Sequence, residues 1–185
     1  MLRLFVSCDL EDAKTIEKLV NFQRRVFGGM EGLKLVEPQN LHFTLAFLGE
    51  QKEDELQKIK RALDELQFEP IKAELRGIGG FPSLRNPRVV VLEVRRGREQ
   101  LEELAKNTRL LLDSVSVWYD KKPFVPHITL ARVKTPTRRL SETLMLNMDE
   151  EFGEVQLTHV RLKKSDLKPT GPVYTTLHEV KAKSL

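Results

Sequence analysis

The stretch His42-Phe43-Thr44-Leu45-Ala46 returns almost unchanged as His127-Ile128-Thr129-Leu130-Ala131, with four of five residues identical. In an extended strand, side chains alternate between two faces. His42 and Thr44 therefore share one face, as do His127 and Thr129, while Phe43 and Ile128 point to the opposite, buried side. Each phrase presents an imidazole and a hydroxyl together over an apolar underside. Eleven of the 185 residues are threonine, so a given histidine meets one two places on with a probability of roughly 6%. Two such pairs among four histidines, both followed by Leu-Ala, are a strong signal where one would be weak.

Around these phrases the pattern mixes strands and helices. Residues 1–9 alternate in strand fashion, and Asp9, Glu11 and Asp12 then open a helix at its positive end. Ile16, Leu19, Val20 and Phe27 follow at helical spacing before Gly28-Gly29 stops the run. Further helices are expected over 53–66, on Leu56, Ile59, Leu63 and Leu66, and over 98–113, on Leu101, Leu104, Ala105, Leu111 and Leu112. Strands are expected over 33–36, 41–48, 71–78, 88–94, 128–132, 155–163 and 173–180. The turn-rich stretch 77–87 (GIGGFPSLRNP) reads as a loop, and 168–172 as a turn before the last strand. Regular strand-helix-strand alternation is missing, so the class is α+β with antiparallel sheets. Residues 134–154 carry the least information.

The chain has 40% hydrophobic residues, enough for a real core in one folded unit. No apolar run approaches the roughly 20 residues a membrane span needs, and no signal peptide is read at the start. The single cysteine, Cys8, cannot close an internal disulfide and reads as a small core residue, which points to a reducing, cytoplasmic setting. A formal charge of +4 biases partners toward anions. The basic groups, at Arg24-Arg25, Arg95-Arg96 with Arg98, Lys121-Lys122, Arg138-Arg139 and Lys163-Lys164, read as solvated faces unless several converge on one cleft.

Neither phrase has a carboxylate, cysteine or third histidine close enough in sequence to complete a metal site, and no nucleophile stands in a nucleophile-elbow context. Two imidazoles suit acid–base chemistry at phosphorus: one neutral ring takes a proton from water while a protonated one gives its proton to the departing oxygen. The hydroxyls would hydrogen-bond the non-bridging oxygens. No cofactor is needed for this scheme. His159 and His178 have no threonine at that spacing and read as structural or exposed.

With these residues in place, the chain resembles the two-histidine phosphoesterase superfamily. The opening RLFVSCDL, the phrase NLHFTLAFLG, the GIGGFP loop followed by PRVVVLEV, and the phrase VPHITLARV are similar to the prokaryotic RNA 2',3'-cyclic phosphodiesterase branch, historically called 2'-5' RNA ligase. The resemblance implies one bilobal domain over residues 1–185. Its two pseudo-symmetric lobes, each an antiparallel sheet with flanking helices, would surround a central cleft lined by one HxT strand from each. It also implies a metal-independent enzyme that opens a 2',3'-cyclic phosphate at an RNA end to a 2'-phosphate, and can join ends through a 2'-5' bond in reverse without ATP. His42 would be the general acid and His127 the general base, with Thr44 and Thr129 on the phosphate. Arg132 is a candidate further phosphate contact and Phe81 a candidate base-stacking residue; a surface arginine and a packing phenylalanine are the competing readings. An RNA-binding module, and a phosphodiesterase acting on ADP-ribose cyclic phosphate or 2'-5' oligonucleotides, stay open as alternatives. The expected partners are RNA ends or small cyclic-phosphate nucleotides, with no membrane and no obligatory protein partner, the chain acting as a monomer.

Overall fold

The structure is a computed structural model and describes residues 1–184. In chain order it contains β1 (Leu2–Asp9), α1 (Ala13–Phe27), β2 (Leu33–Leu35), β3 (His42–Gln51), α2 (Leu56–Asp64), β4 (Ile71–Phe81) and β5 (Val89–Val94). There follow α3 (Arg98–Ser114), β6 (His127–Val133), α4 (Arg138–Leu146), β7 (Glu151–Leu157), β8 (His159–Lys168) and β9 (Gly171–Lys181). Short 3-10 turns at Pro38–Asn40 and Glu53–Glu55 precede β3 and α2. One sheet has the order β3-β1-β8-β9, the other β2-β6-β5-β4-β7, and every pairing is antiparallel. The expected α+β class with two antiparallel sheets is what forms, and each HxT phrase lies in a different sheet.

Local chemistry explains the elements that carry the site. Leu4, Val6 and Cys8 alternate along β1 and are fully buried; burying a side chain of the leucine or valine kind contributes about 1.5–3 kcal/mol. Asp12 caps α1 by accepting from the Thr15 amide at 3.0 Å. The buried side of α1 carries Leu19, Phe22 and Phe27, and Phe22 meets Phe152 of β7 edge-on at 5.2 Å. Helix α1, from the first half of the chain, thus packs on the five-stranded sheet. Helix α3, from the second half, packs against β3 of the four-stranded sheet. The halves are laced through one another, and their buried side chains form one continuous core.

Three expectations need correction. The strand-like run over 155–163 is two strands: it breaks at Thr158, with β7 pairing β4 in one sheet and β8 pairing β1 in the other. A change of sheet leaves no mark in local hydrophobicity. A helix, α4, forms within the uninformative 134–154; it buries only Leu140 and Leu144 while Met145 and Leu146 are exposed, so its stripe is too narrow to read. The stretch from Gly77 begins as strand, not loop, because β5 pairs with β4 as far as Phe81. Its glycines allow close approach: a Cβ on Gly79 would lie 2.6 Å from a Glu93 carboxylate oxygen, and one on Gly80 would lie 2.8 Å from Pro87. No helix among the described residues is long and apolar enough to cross a membrane.

Candidate active site

The two HxT strands meet where the sheets come together, and their local geometry matches residue for residue. On β1, Asp9, Ser7 and Val6 stand opposite His42, Thr44 and Ala46 of β3. On β5, Glu93, Val91 and Val90 stand opposite His127, Thr129 and Ala131 of β6. Leu45 and Leu130 have no partner in either register, so each phrase contains a one-residue β-bulge at its leucine. The bulge resets the alternation of side chains. Without it, the residue three beyond each threonine would face the core. With it, Phe47 in one sheet and Arg132 in the other share the face of the histidine and threonine. Phe43, Leu45, Ile128 and Leu130 are fully buried beneath, as the alternation requires.

Each ring is held by the same backbone bond. His42 Nδ1 donates to the Asn40 carbonyl at 2.7 Å and His127 Nδ1 to the Val125 carbonyl at 2.6 Å. A carbonyl can only accept, so Nδ1 carries the hydrogen in both rings and Nε2 is left for chemistry. His42 Nε2 lies 2.9 Å from Thr44 Oγ1. An aromatic ring flanks each imidazole: Phe5 at 5.0 Å from His42, and Phe81, edge-on, at 4.9 Å from His127. Tyr174 adds a second edge-on contact to His42 at 5.5 Å. Burial lowers the proton affinity of both rings below the ordinary imidazole value, opposed in each by its carbonyl bond. His42 also feels the Asp9 carboxylate, which favours its protonated form, and the charges of Lys163 and His127, which disfavour it.

Asp9 is the centre of a polar cluster beside His42. Its carboxylate accepts from Ser7 Oγ at 2.8 Å, Lys163 Nζ at 2.7 Å and Arg161 Nη1 at 3.3 Å. Burial alone would raise the Asp9 carboxyl; the hydrogen bonds from Lys163 and Ser7 outweigh it and hold it below the usual carboxylate range. Lys163 is 8% exposed, so one member of the Lys163-Lys164 group is a buried ion-pair partner and not part of a solvated face. Glu93, the counterpart of Asp9, turns instead over Gly77 and Gly79. The sheets are alike in backbone and unlike in charge at the two histidines.

A family profile described as LigT-like phosphoesterase matches the chain twice in tandem, over residues 10–91 and 92–174. The chain belongs to the LigT-like phosphoesterase family. Each match holds one HxT strand, although helices and sheets are exchanged between the halves. The chain is 38% identical over 176 residues to a protein of Archaeoglobus fulgidus named RNA 2',3'-cyclic phosphodiesterase, covering 95% of this chain and 98% of that one. A protein of the same name from Methanocaldococcus jannaschii is 35% identical, with 96% and 99% covered. Among solved structures, E. coli LigT complexed with 3'-AMP superposes with a TM-score of 0.82 at 26% identity, covering 99% of each chain.

In this LigT-like phosphoesterase the remaining sequence candidates separate. Arg132 is exposed and, among the described residues, has no carboxylate partner; its charge reaches Tyr174, whose hydroxyl burial pushes up. Phe81 packs on His127, so it serves the ring directly. His178 Nε2 lies 2.6 Å from Asp64, outside the site, whereas His159, 2.7 Å from the Thr158 hydroxyl, reaches the Asp9 cluster at second hand through Glu179 and Arg161. Cys8 is core, its thiol pushed up to about 12 by burial. Arg24, Arg25, Arg95, Arg96, Lys121, Lys122, Arg138 and Arg139 do not join the cluster beside His42. Sequence reasoning missed Asp9, Phe5, Tyr174 and Lys163. Asp9 alone had a usable signal, as the polar end of an alternating strand.

Proposed function

We propose that the chain is a metal-independent RNA 2',3'-cyclic phosphodiesterase acting through His42 and His127, in a single bilobal domain over residues 1–185. The observation that carries this reading is the matched pair of rings: one imidazole per sheet, each with Nδ1–H tied to a backbone carbonyl and Nε2 presented to the cleft. His127, with no carboxylate among the influences on its proton, is the general base that takes a proton from water. His42, whose neighbour Asp9 favours its protonated form against burial and the Lys163 charge, is the general acid. Water oxygen bonds to phosphorus, the bond from phosphorus to the 3' oxygen breaks, and His42 protonates that oxygen, leaving a 2'-phosphate. Thr44 and Thr129 hydrogen-bond the non-bridging oxygens, and Arg132, on their face through the bulge, adds positive charge. The names of the relatives from Archaeoglobus and Methanocaldococcus supply the RNA-end substrate. With a 5'-hydroxyl of a second RNA end in place of water, the same steps join the ends through a 2'-5' bond: the 5' oxygen gives its proton to His127 and bonds to phosphorus, the bond to the 3' oxygen breaks, and His42 protonates that oxygen. A monomer in the cytoplasm, acting alone on RNA ends, completes the reading.

The test is hydrolysis of a short RNA ending in a 2',3'-cyclic phosphate, in EDTA, by the parent chain, His42→Ala and His127→Ala, with the product end mapped. A 2'-phosphate made by the parent and lost in both variants supports the reading. A folded parent that binds the RNA without turnover leaves a binding module in its place.

A further inference from the structure

The approach to each histidine is tied to the other histidine's strand. Strand β2, upstream of His42, pairs with β6, and the Val36 amide donates to the Leu130 carbonyl at 2.8 Å. The segment upstream of His127 runs along β3: the Asp120 amide donates to the Phe47 carbonyl at 2.8 Å, and Gln51 Nε2 to the Trp118 carbonyl at 3.2 Å. At each bulge a helix adds a long side chain. Gln23 of α1, buried, donates from Nε2 to the Leu130 carbonyl at 3.1 Å. Arg109 of α3 donates from Nε to the Leu45 carbonyl at 3.1 Å. Arg109 also donates from Nη1 to the Lys122 carbonyl at 2.8 Å, three residues before the Val125 that holds the His127 ring. One guanidinium thus grips the bulge beside Thr44 and the run-in to His127.

We propose that Gln23 and Arg109 are positioning residues for the two-histidine reaction: each holds the carbonyl of a bulged leucine, and Arg109 also ties one catalytic arm to the other. The inference rests on the acid–base reading above. A bulge leaves one backbone group out of the ladder, and the bulge is what keeps Phe47 and Arg132 on the face of the histidines. Without Arg109 the Leu45 bulge loses its side-chain donor, and without Gln23 the Leu130 carbonyl keeps the Val36 amide alone; in each the strand is freer to shift, which moves a threonine and an imidazole together. A misplacement of about 1 Å costs a rate factor on the order of 10² even when the changed residue never touches substrate. Binding contacts away from the reacting atoms are left intact, so the loss falls on kcat.

The test uses Gln23→Met and Arg109→Met, which keep chain length and apolar stem but remove the donors, and Arg109→Lys, which keeps the charge with one nitrogen in place of two. kcat and KM are measured on the cyclic-phosphate RNA well below each variant's unfolding temperature. Expected are kcat values about 10- to 100-fold lower in both Met variants with KM within about threefold of the parent, and Arg109→Lys in between. Folded variants with kcat within about twofold of the parent, or with KM rising as much as kcat falls, overturn the proposal. Where Arg109→Met does not fold, Gln23→Met and Arg109→Lys decide. An inactive parent defeats the phosphodiesterase reading instead. The positioning inference is then judged by the ring-nitrogen NMR signals of His42 and His127, which Arg109→Lys must displace; unmoved signals sink it.

Discussion

At the residue scale, two rings with the same backbone tether differ in their neighbours, and the proposed division into acid and base rests on that difference. Burial pushes both imidazoles below their ordinary value near 6.5. The kcat/KM profile, which reports the free enzyme, should be a bell whose two macroscopic limbs both lie below that value; either limb above it would refute the burial argument. Replacing either ring by alanine should lower kcat by roughly 10² to 10⁴, with His178→Ala, whose ring pairs with Asp64 of α2, as the unaffected control. Losing the Thr44 hydroxyl in Thr44→Val should cost about 1.5–3 kcal/mol of transition-state stabilisation, read from kcat/KM. Asp9→Asn leaves Lys163 buried without its partner and should destabilise by about 3–5 kcal/mol in denaturant titration. Because the folded-state Asp9 carboxyl is lowered, the stability it contributes is complete above its unfolded value. It is lost as pH falls through the folded one. The histidines and threonines were legible in the sequence because their spacing is chemical. For Asp9 only its place at the polar end of a strand was legible, since such an aspartate looks the same whether or not a lysine from 154 residues away reaches it.

At the element scale, the bulges do what strand pairing alone could not. They turn the alternation of each HxT strand, so Arg132 faces the cleft although simple parity in the sequence puts it on the core side. Helix α4 is the counter-example, an element the pattern hid because two leucines anchor it. Leu144→Ala should cost about 2–5 kcal/mol in unfolding free energy. Leu146→Ala, at a side chain 86% exposed, should change it by no more than about 0.5 kcal/mol. Equal effects would mean that α4 packs by a different face. The division of 155–163 into β7 and β8 was equally hidden, because both halves are good strands and only their partners differ.

On the scale of the whole molecule, each sheet takes strands from both halves of the chain, α1 of the first half packs on β7 and α3 of the second half on β3, so neither half has a complete core alone. Thermal unfolding should therefore be one transition, with far-UV and near-UV circular dichroism coinciding; two separated transitions would show lobes that fold independently. The sequence by itself determined the class of fold, the positions of most strands and three helices, and the four side chains to which the proposed chemistry is assigned. Each of these follows from local periodicity or from a repeated motif. Tertiary structure decided which strand joined which sheet, how Asp9 and Lys163 came to stand beside His42, and how Gln23 and Arg109 found the bulged carbonyls. Those are contacts between residues far apart in the chain, and local pattern holds no record of where a long side chain ends once the backbone has brought it to a partner.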